Sequence, residues 1–295
     1  MFVPVYLAAL SAFVFYALLP VIGAFAVRRQ WRQFRKAVAD ASALPPVESF
    51  SAGASASAAV RYRAQGEADA IGGRYELWVS CRDATCVIDL KDAWVYLLTS
   101  RSGDDGIERR RWSDLPSIGP GARVFAAGNA AIRGARLTMG PMGRDYPLVI
   151  LHDGEDSTVV RRAVWAGRHE NEYWNPLTQI SMALGVATMS AILPSALKAG
   201  IPSLVGALTL TAAFSPILPF LPPGVVGFFG YRKFWRNARY CRARRDTERL
   251  CGGDGAMADA WHRRAYGATA ASALALAGAL AVNGWLLIFA LRRVL

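Results

Sequence analysis

The side chains with the chemistry for metal binding or acid–base work are three histidines, four cysteines and a few clustered carboxylates. His152 stands beside Asp153, Glu155 and Asp156, and His169 beside Glu170 and Glu172; imidazole with carboxylates could hold a divalent ion. Neither cluster has the His-Glu-x-x-His spacing that sets two ligands on one helix face, so the ordinary reading is a polar turn and a solvated loop. The cysteines fall as Cys81 with Cys86 and Cys241 with Cys251, without a C-x₂-C spacing for zinc. A hairpin through 82–85 could bring Cys81 and Cys86 together, as a disulfide in an oxidising compartment or as free thiols in a reducing one. Ser157 and Ser181 lie in neither a G-x-S-x-G elbow nor an S-x-x-K context. No glycine-rich stretch carries the Lys-Ser/Thr of a phosphate loop. A soluble-type hydrolase or kinase is therefore disfavoured, and no catalytic residue, metal or cofactor is assigned.

Two other patterns carry more physical content. Pro216, Pro219, Pro222, Pro223 and Gly224 interrupt an apolar run. Each proline lacks an N–H and clashes one turn back, so no α-helix continues through them. Broken backbone at membrane depth is tolerated where protein or water shields it, and transporters use such breaks for binding. The plainer reading is a helix that ends near Phe214, with the prolines as a connector; it is favoured because no charged side chain lies inside any apolar segment. After the prolines, residues 231–245 alternate aromatics with Arg232, Lys233, Arg236, Arg239 and Arg242. That pattern could stack single-stranded bases. Its attachment to an apolar segment favours an amphipathic helix at an anionic lipid surface instead, and makes a nucleic-acid partner the weaker reading.

These residues must be positioned by what surrounds them, and the surroundings are apolar. The 295 residues are 53% hydrophobic and only 19% charged, against roughly 25% in an ordinary soluble domain. Apolar blocks alternate with charge-rich stretches. Residues 2–27, 177–197, 201–221 and 268–291 are each about long enough for a ~30 Å hydrocarbon core, which predicts about four transmembrane helices. The first has no basic n-region and exceeds the length of a cleaved signal. The third follows a short turn at 198–200, which predicts an antiparallel hairpin with the second. The fourth is rich in Ala and Gly, which permits close helix contact.

The net charge of +12 is concentrated beside these blocks. Arg28, Arg29, Arg32, Arg35 and Lys36 follow the first, and eight basic residues from Arg232 to Arg249 follow the third. With Arg161, Arg162, Arg168, Arg263 and Arg264 they fall on one side; only Lys198, Arg292 and Arg293 fall on the other. The positive-inside rule then predicts an N-terminus outside and the soluble part in the cytoplasm. The basic tail dissents weakly. The Ala- and Arg-rich composition is that of a bacterial-type, multi-pass inner-membrane protein.

Residues 28–59 read as a basic juxtamembrane segment and a Ser/Ala/Pro linker. Residues 60–156 change to short β-type runs: 60–64, 75–81, 86–90, 93–99, 122–127, 136–139 and 147–151, separated by Gly and Asp turns. No long amphipathic helix divides them, so a small antiparallel barrel is expected. Residues 157–176 read as a short helix and a pre-membrane loop, and 222–267 as a basic cytoplasmic segment. The phrase 118–128 (IGPGARVFAAG) places a glycine turn before an apolar strand that ends at another glycine. It resembles the central strand entry of OB-fold barrels. Over residues 60–154 the layout is similar to membrane-tethered OB-like domains of the NfeD kind, although there the barrel usually follows the membrane segments. The resemblance implies a fold; it does not imply a function.

The expected function is a non-enzymatic membrane protein whose cytoplasmic β-rich domain serves interaction or scaffolding. Its partners would be anionic lipid and a protein partner or a second copy. Contact surfaces are expected near Arg109, Arg110, Arg111 and Trp112, and near Arg236 and Arg239. The alternatives are a small transporter or lipid-handling protein using the Pro-broken segment, and a membrane enzyme using His152 or His169.

Overall fold

The computed structural model describes residues 3–50, 61–72, 75–101, 104–115, 118, 122–133, 136–141, 146–168, 172–198, 200–201 and 203–293. The expected linker at 51–59, the strand start Val60, the turn residues Gly73, Ser102, Gly103, Gly119, Pro120 and Gly121, and His169 with Glu170 lie outside them. The chain divides into two compact units. A helical unit takes residues 1–30, 169–245 and 255–295, and a barrel unit takes residues 31–168 and 246–254.

The barrel unit is built from eight strands: β1 Arg61–Gly72, β2 Glu76–Ser80, β3 Thr85–Asp89, β4 Trp94–Arg101, β5 Asp104–Arg111, β6 Arg123–Arg133, β7 Arg136–Gly140 and β8 Leu148–His152. Strands β1, β2, β3, β7 and β6 close a five-stranded barrel through a final β1–β6 pairing. One edge of the long β6 is shared: Asn129–Arg133 pair with β7 and Arg123–Ala127 with β8. From β8 the sheet continues to β4 and β5. Inward-facing Leu77, Val79, Ile88, Val124, Met139 and Val149 fill the core. This is the period-two burial that pleated strands impose. Gly66 lets β1 pass tight against β2, since a Cβ there would collide with the backbone carbonyl of Ser80.

Two features depart from the expected antiparallel barrel. β3 pairs with β7, and β4 with β8, in parallel. Each joins strands distant in sequence, where no tight hairpin dictates direction. β5 was not expected: its sequence, DDGIERRR, has almost no apolar residue, and it exists because it pairs with β4 from Trp94–Arg111 to Arg101–Asp104.

Helix α1 Val3–Phe13 runs through a π turn, Val14–Leu18, into α2 Leu19–Ser42. Within the barrel unit the end of α2 buries Trp31, Phe34, Val38 and Ala41, spaced three and four apart as one helix face. Phe34 and Trp31 meet Tyr96 at ring-centroid distances of 4.1 and 6.2 Å. α3 Val159–Ala166 packs on β5 and β4.

The helical unit adds α4 Pro176–Leu197, α5 Leu204–Ala213, α6 Gly224–Leu250 and α7 Gly255–Arg293. Among the described residues three helices are long and apolar enough to cross a membrane: Val3–Ser42, Pro176–Ser195 and Gly255–Arg293. The expected third segment, residues 201–221, instead holds the 10-residue α5, then turns and a 3₁₀ turn Leu218–Phe220. The local starts are written in the sequence. Asn175 accepts from Thr178 N at 3.1 Å ahead of Pro176, and Ser203 accepts from Gly206 N at 3.0 Å, both as N-caps.

Candidate functional site

The Pro-broken segment has a partner that composition alone does not reveal. In the helical unit Asn283 of α7 is 96% buried and sits opposite the break. Its amide donates to Leu218 O at 2.5 Å and Leu221 O at 2.6 Å, and its Oδ1 accepts from Gly224 N at 3.2 Å. One neutral side chain thus bridges the break: it is the partner of Gly224 N at the helix start, and it gives a second donor to the carbonyls of Leu218 and Leu221, which also accept from Leu221 N and Val225 N. Gly227 allows this closeness, because a Cβ there would lie 2.8 Å from Ala275 O. Gly224, Gly227 and Gly230 of α6 therefore face Ala275, Ala279 and Asn283 of α7 through small residues at helical spacing. That spacing is legible in the sequence, and so is a single Asn in an Ala- and Leu-rich run. Of the proline-segment residues, Pro219 is buried and Gly224 touches Asn283 directly.

The basic residues after the break separate by face. Arg232, Lys233 and Arg236 are exposed, whereas Arg239 and Arg242 are half-buried. Arg242 points inward: it donates to Thr269 Oγ1 at 2.6 Å and lies 5.1 Å over the Trp235 ring. Trp235 also receives Arg28, which stacks on Tyr173 and Phe25 and pairs with Glu172. Arg28 and Arg242 are thus half-buried cations with partners inside the helical unit.

The barrel unit has its own buried charges. Arg35, 95% buried, pairs with Asp246 at 3.1 Å and donates to Gly167 O at 2.6 Å, while Arg168 also pairs with Asp246. Asp246 contributes one carboxylate to two guanidinium groups. Nothing in the local sequence pairs these residues: Arg35 lies 211 positions from Asp246 and Arg168 lies 78 from it.

Among the described residues the histidine and cysteine side chains are not brought together into a metal site. The His152 side chain is fully buried at the end of β8, with Nε2 3.5 Å from Asp156 Oδ1. Burial holds its pKa below the ordinary imidazole value, against the pull of Asp156. Among the described residues no group of three or more His, Cys, Asp or Glu side chains is placed to hold a metal ion. All four cysteines are free thiols. Burial pushes Cys81 up to about 11 and Cys86 up to about 12, so neither is a thiolate nucleophile near neutral pH. Cys81 lines a cleft of about 840 Å³, together with Glu48, Glu67, Asp69, Asp83 and Asp156.

At the far edge of the sheet the expected Arg patch is present in altered form. Trp112 is buried in the barrel core, because the strand ends there and turns inward. Trp94 takes its place at the surface, with Arg109 at 4.1 Å and Arg111 at 5.3 Å from its ring centroid. Arg110 pairs with Glu108 at 2.8 Å on the opposite face. No protein-family model matches the chain, and neither the curated proteins nor the solved structures contain a match.

Proposed function

We propose that this is an integral membrane protein of non-enzymatic type whose barrel unit is a cytoplasmic interaction or scaffolding module. The supporting observation is the surface of the helical unit. Leu10, Phe13, Val226, Leu274 and Trp285 are all more than half exposed, on helices with no charge over long stretches. A helix apolar all round and unburied by protein is stable in hydrocarbon, not in water. We assign four crossings. The third is made of two half-helices, Leu204–Ala213 and the apolar start of α6, about 15 and 12 Å long. The Asn283 clasp supplies the shielding that such a break requires. The barrel order β1-β2-β3-β7-β6, closed between first and last and with one parallel seam, supports the OB-like reading. On this reading Arg232, Lys233 and Arg236 contact anionic headgroups from the cytoplasmic side.

Two measurements test this. Cys251 is the exposed native thiol. In intact cells an impermeant maleimide should label a Lys198→Cys variant and spare Cys251 until the membrane is permeabilised; the reverse pattern overturns the orientation. Mild in-cell cross-linking, extraction with native lipid and mass spectrometry should then recover a stoichiometric protein partner or a homo-oligomer. Recovery of neither sinks the scaffold reading. A retained small molecule or lipid, together with flux lost on substituting Pro222 and Pro223, would instead favour transport or lipid handling through the clasped break.

A further inference from the structure

β5 is the strand of the sheet that stops at one partner. Among the described residues every other strand, β1 to β4 and β6 to β8, is paired on both sides, whereas β5 pairs with β4 alone. An open edge offers a row of backbone donors and acceptors to another strand. Which residues offer them follows from the ladder. Trp112 N donates to Ala93 O at 3.1 Å, and antiparallel ladders alternate, so even-numbered residues of β5 turn their backbone toward β4. Asp105, Ile107, Arg109 and Arg111 therefore present theirs to the open side.

The charges along this edge are self-complementary. Acidic residues 104 and 105 stand at one end and Arg109, Arg110 and Arg111 at the other, with Ile107 between. We propose that β5 pairs antiparallel with β5 of a second copy, about a two-fold axis through Ile107. This rests on reading the barrel unit as an interaction module. A two-fold axis perpendicular to the sheet must pass through a residue facing itself. With Ile107 on the axis, Asp105 of each copy faces Arg109 of the other, twice over, and the outward-facing backbones meet as hydrogen-bonded pairs. Shifting the axis to Glu108 would oppose two like charges, which is unfavourable.

The side chains on this face are prepared for such a contact. Asp105 Oδ1 already accepts from Arg162 at 2.8 Å, which holds the carboxylate in place and leaves Oδ2 as acceptor. Arg109 lies over Trp94, and among the described residues it meets no carboxylate of its own chain. The second copy's Asp105 would supply one.

The test uses the full-length protein in lipid nanodiscs, in a Cys251→Ser background. Ile107→Cys should form a disulfide-linked dimer with added oxidant, since directly opposed residues of a hydrogen-bonded pair lie about 5.5 Å apart at Cα. Glu108→Cys should link far less. Ile107→Pro removes an N–H that β4 does not use, so it should abolish the dimer while the unfolding transition stays in place. Arg109→Glu should abolish it as well, by facing Asp105. A dimer that survives Ile107→Pro, or links equally through position 108, overturns the edge pairing but leaves the scaffold reading standing. A monomer that holds a different protein overturns self-pairing alone. A monomer with no partner overturns both.

Discussion

Each unit holds one buried polar site, and the two are built from different chemistry. In the helical unit the backbone is interrupted among apolar side chains, and a neutral amide, Asn283, closes the gap. In the barrel unit the corresponding site is ionic: Arg35 and Arg168 gather around Asp246. A neutral amide can be buried without counter-charge and at modest desolvation cost, whereas a buried guanidinium is tolerable only beside a carboxylate. The two sites therefore differ in what a lost partner leaves behind: an open dipole at one, uncompensated charge at the other.

The comparison is broken most directly at Asp246. Asp246→Ala strands two arginines and should destabilise the barrel unit by about 3–5 kcal/mol in denaturant unfolding. Asn283→Ala should cost the helical unit about 1–3 kcal/mol, because what it strands is the buried Gly224 N–H, while the carbonyls of Leu218 and Leu221 keep their backbone donors. If the two costs came out reversed, charge would not be what separates the units. Next comes overpacking: Gly227→Ala should cost about 1–3 kcal/mol by forcing α6 from α7 at Ala275 O, read as a lowered melting temperature in detergent–lipid micelles.

A smaller effect should sharpen the electrostatic side. His152 is buried with its pKa lowered by desolvation, so the unfolded chain binds a proton more readily than the folded one. Its contribution is intact above about pH 6.5 and is lost as pH falls from there toward the depressed folded value. His152→Gln should flatten that part of the stability–pH profile. The smallest effect belongs to the exposed Glu108–Arg110 pair, and Glu108→Gln should leave thermal unfolding of the monomer unchanged.

What could be read before the structure follows from the range of each interaction. Apolar length gave three helices able to cross a membrane, and β-branched alternation placed seven of the eight described strands, because both are local patterns; the ends of β1 and β6 run on to Gly72 and Arg133, well past the expected 64 and 127. β5 was hidden because a strand so charged owes its existence to its neighbour. The parallel seams were hidden because direction there is set by chain routing. The sites show the same divide. The prolines announce a break, but only packing reveals that Asn283 closes it. Arg35 and Arg28 look like surface charge by position, yet each is held inside by a carboxylate far along the chain.

The parallel seam between β3 and β7 also sets a clock for synthesis. Cys86–Ile88 find their partners only at Leu137–Met139, after β4, β5 and β6 have been made. From the start of β1 to the end of β7 the ribosome must add some eighty residues, roughly 4–16 s at ordinary elongation rates. Through that interval the inward faces of β1, β2 and β3 stay uncovered. The nascent chain is then most exposed to chaperones and to mispairing, and a pause placed before residue 136 should prolong that exposure more than one placed after it.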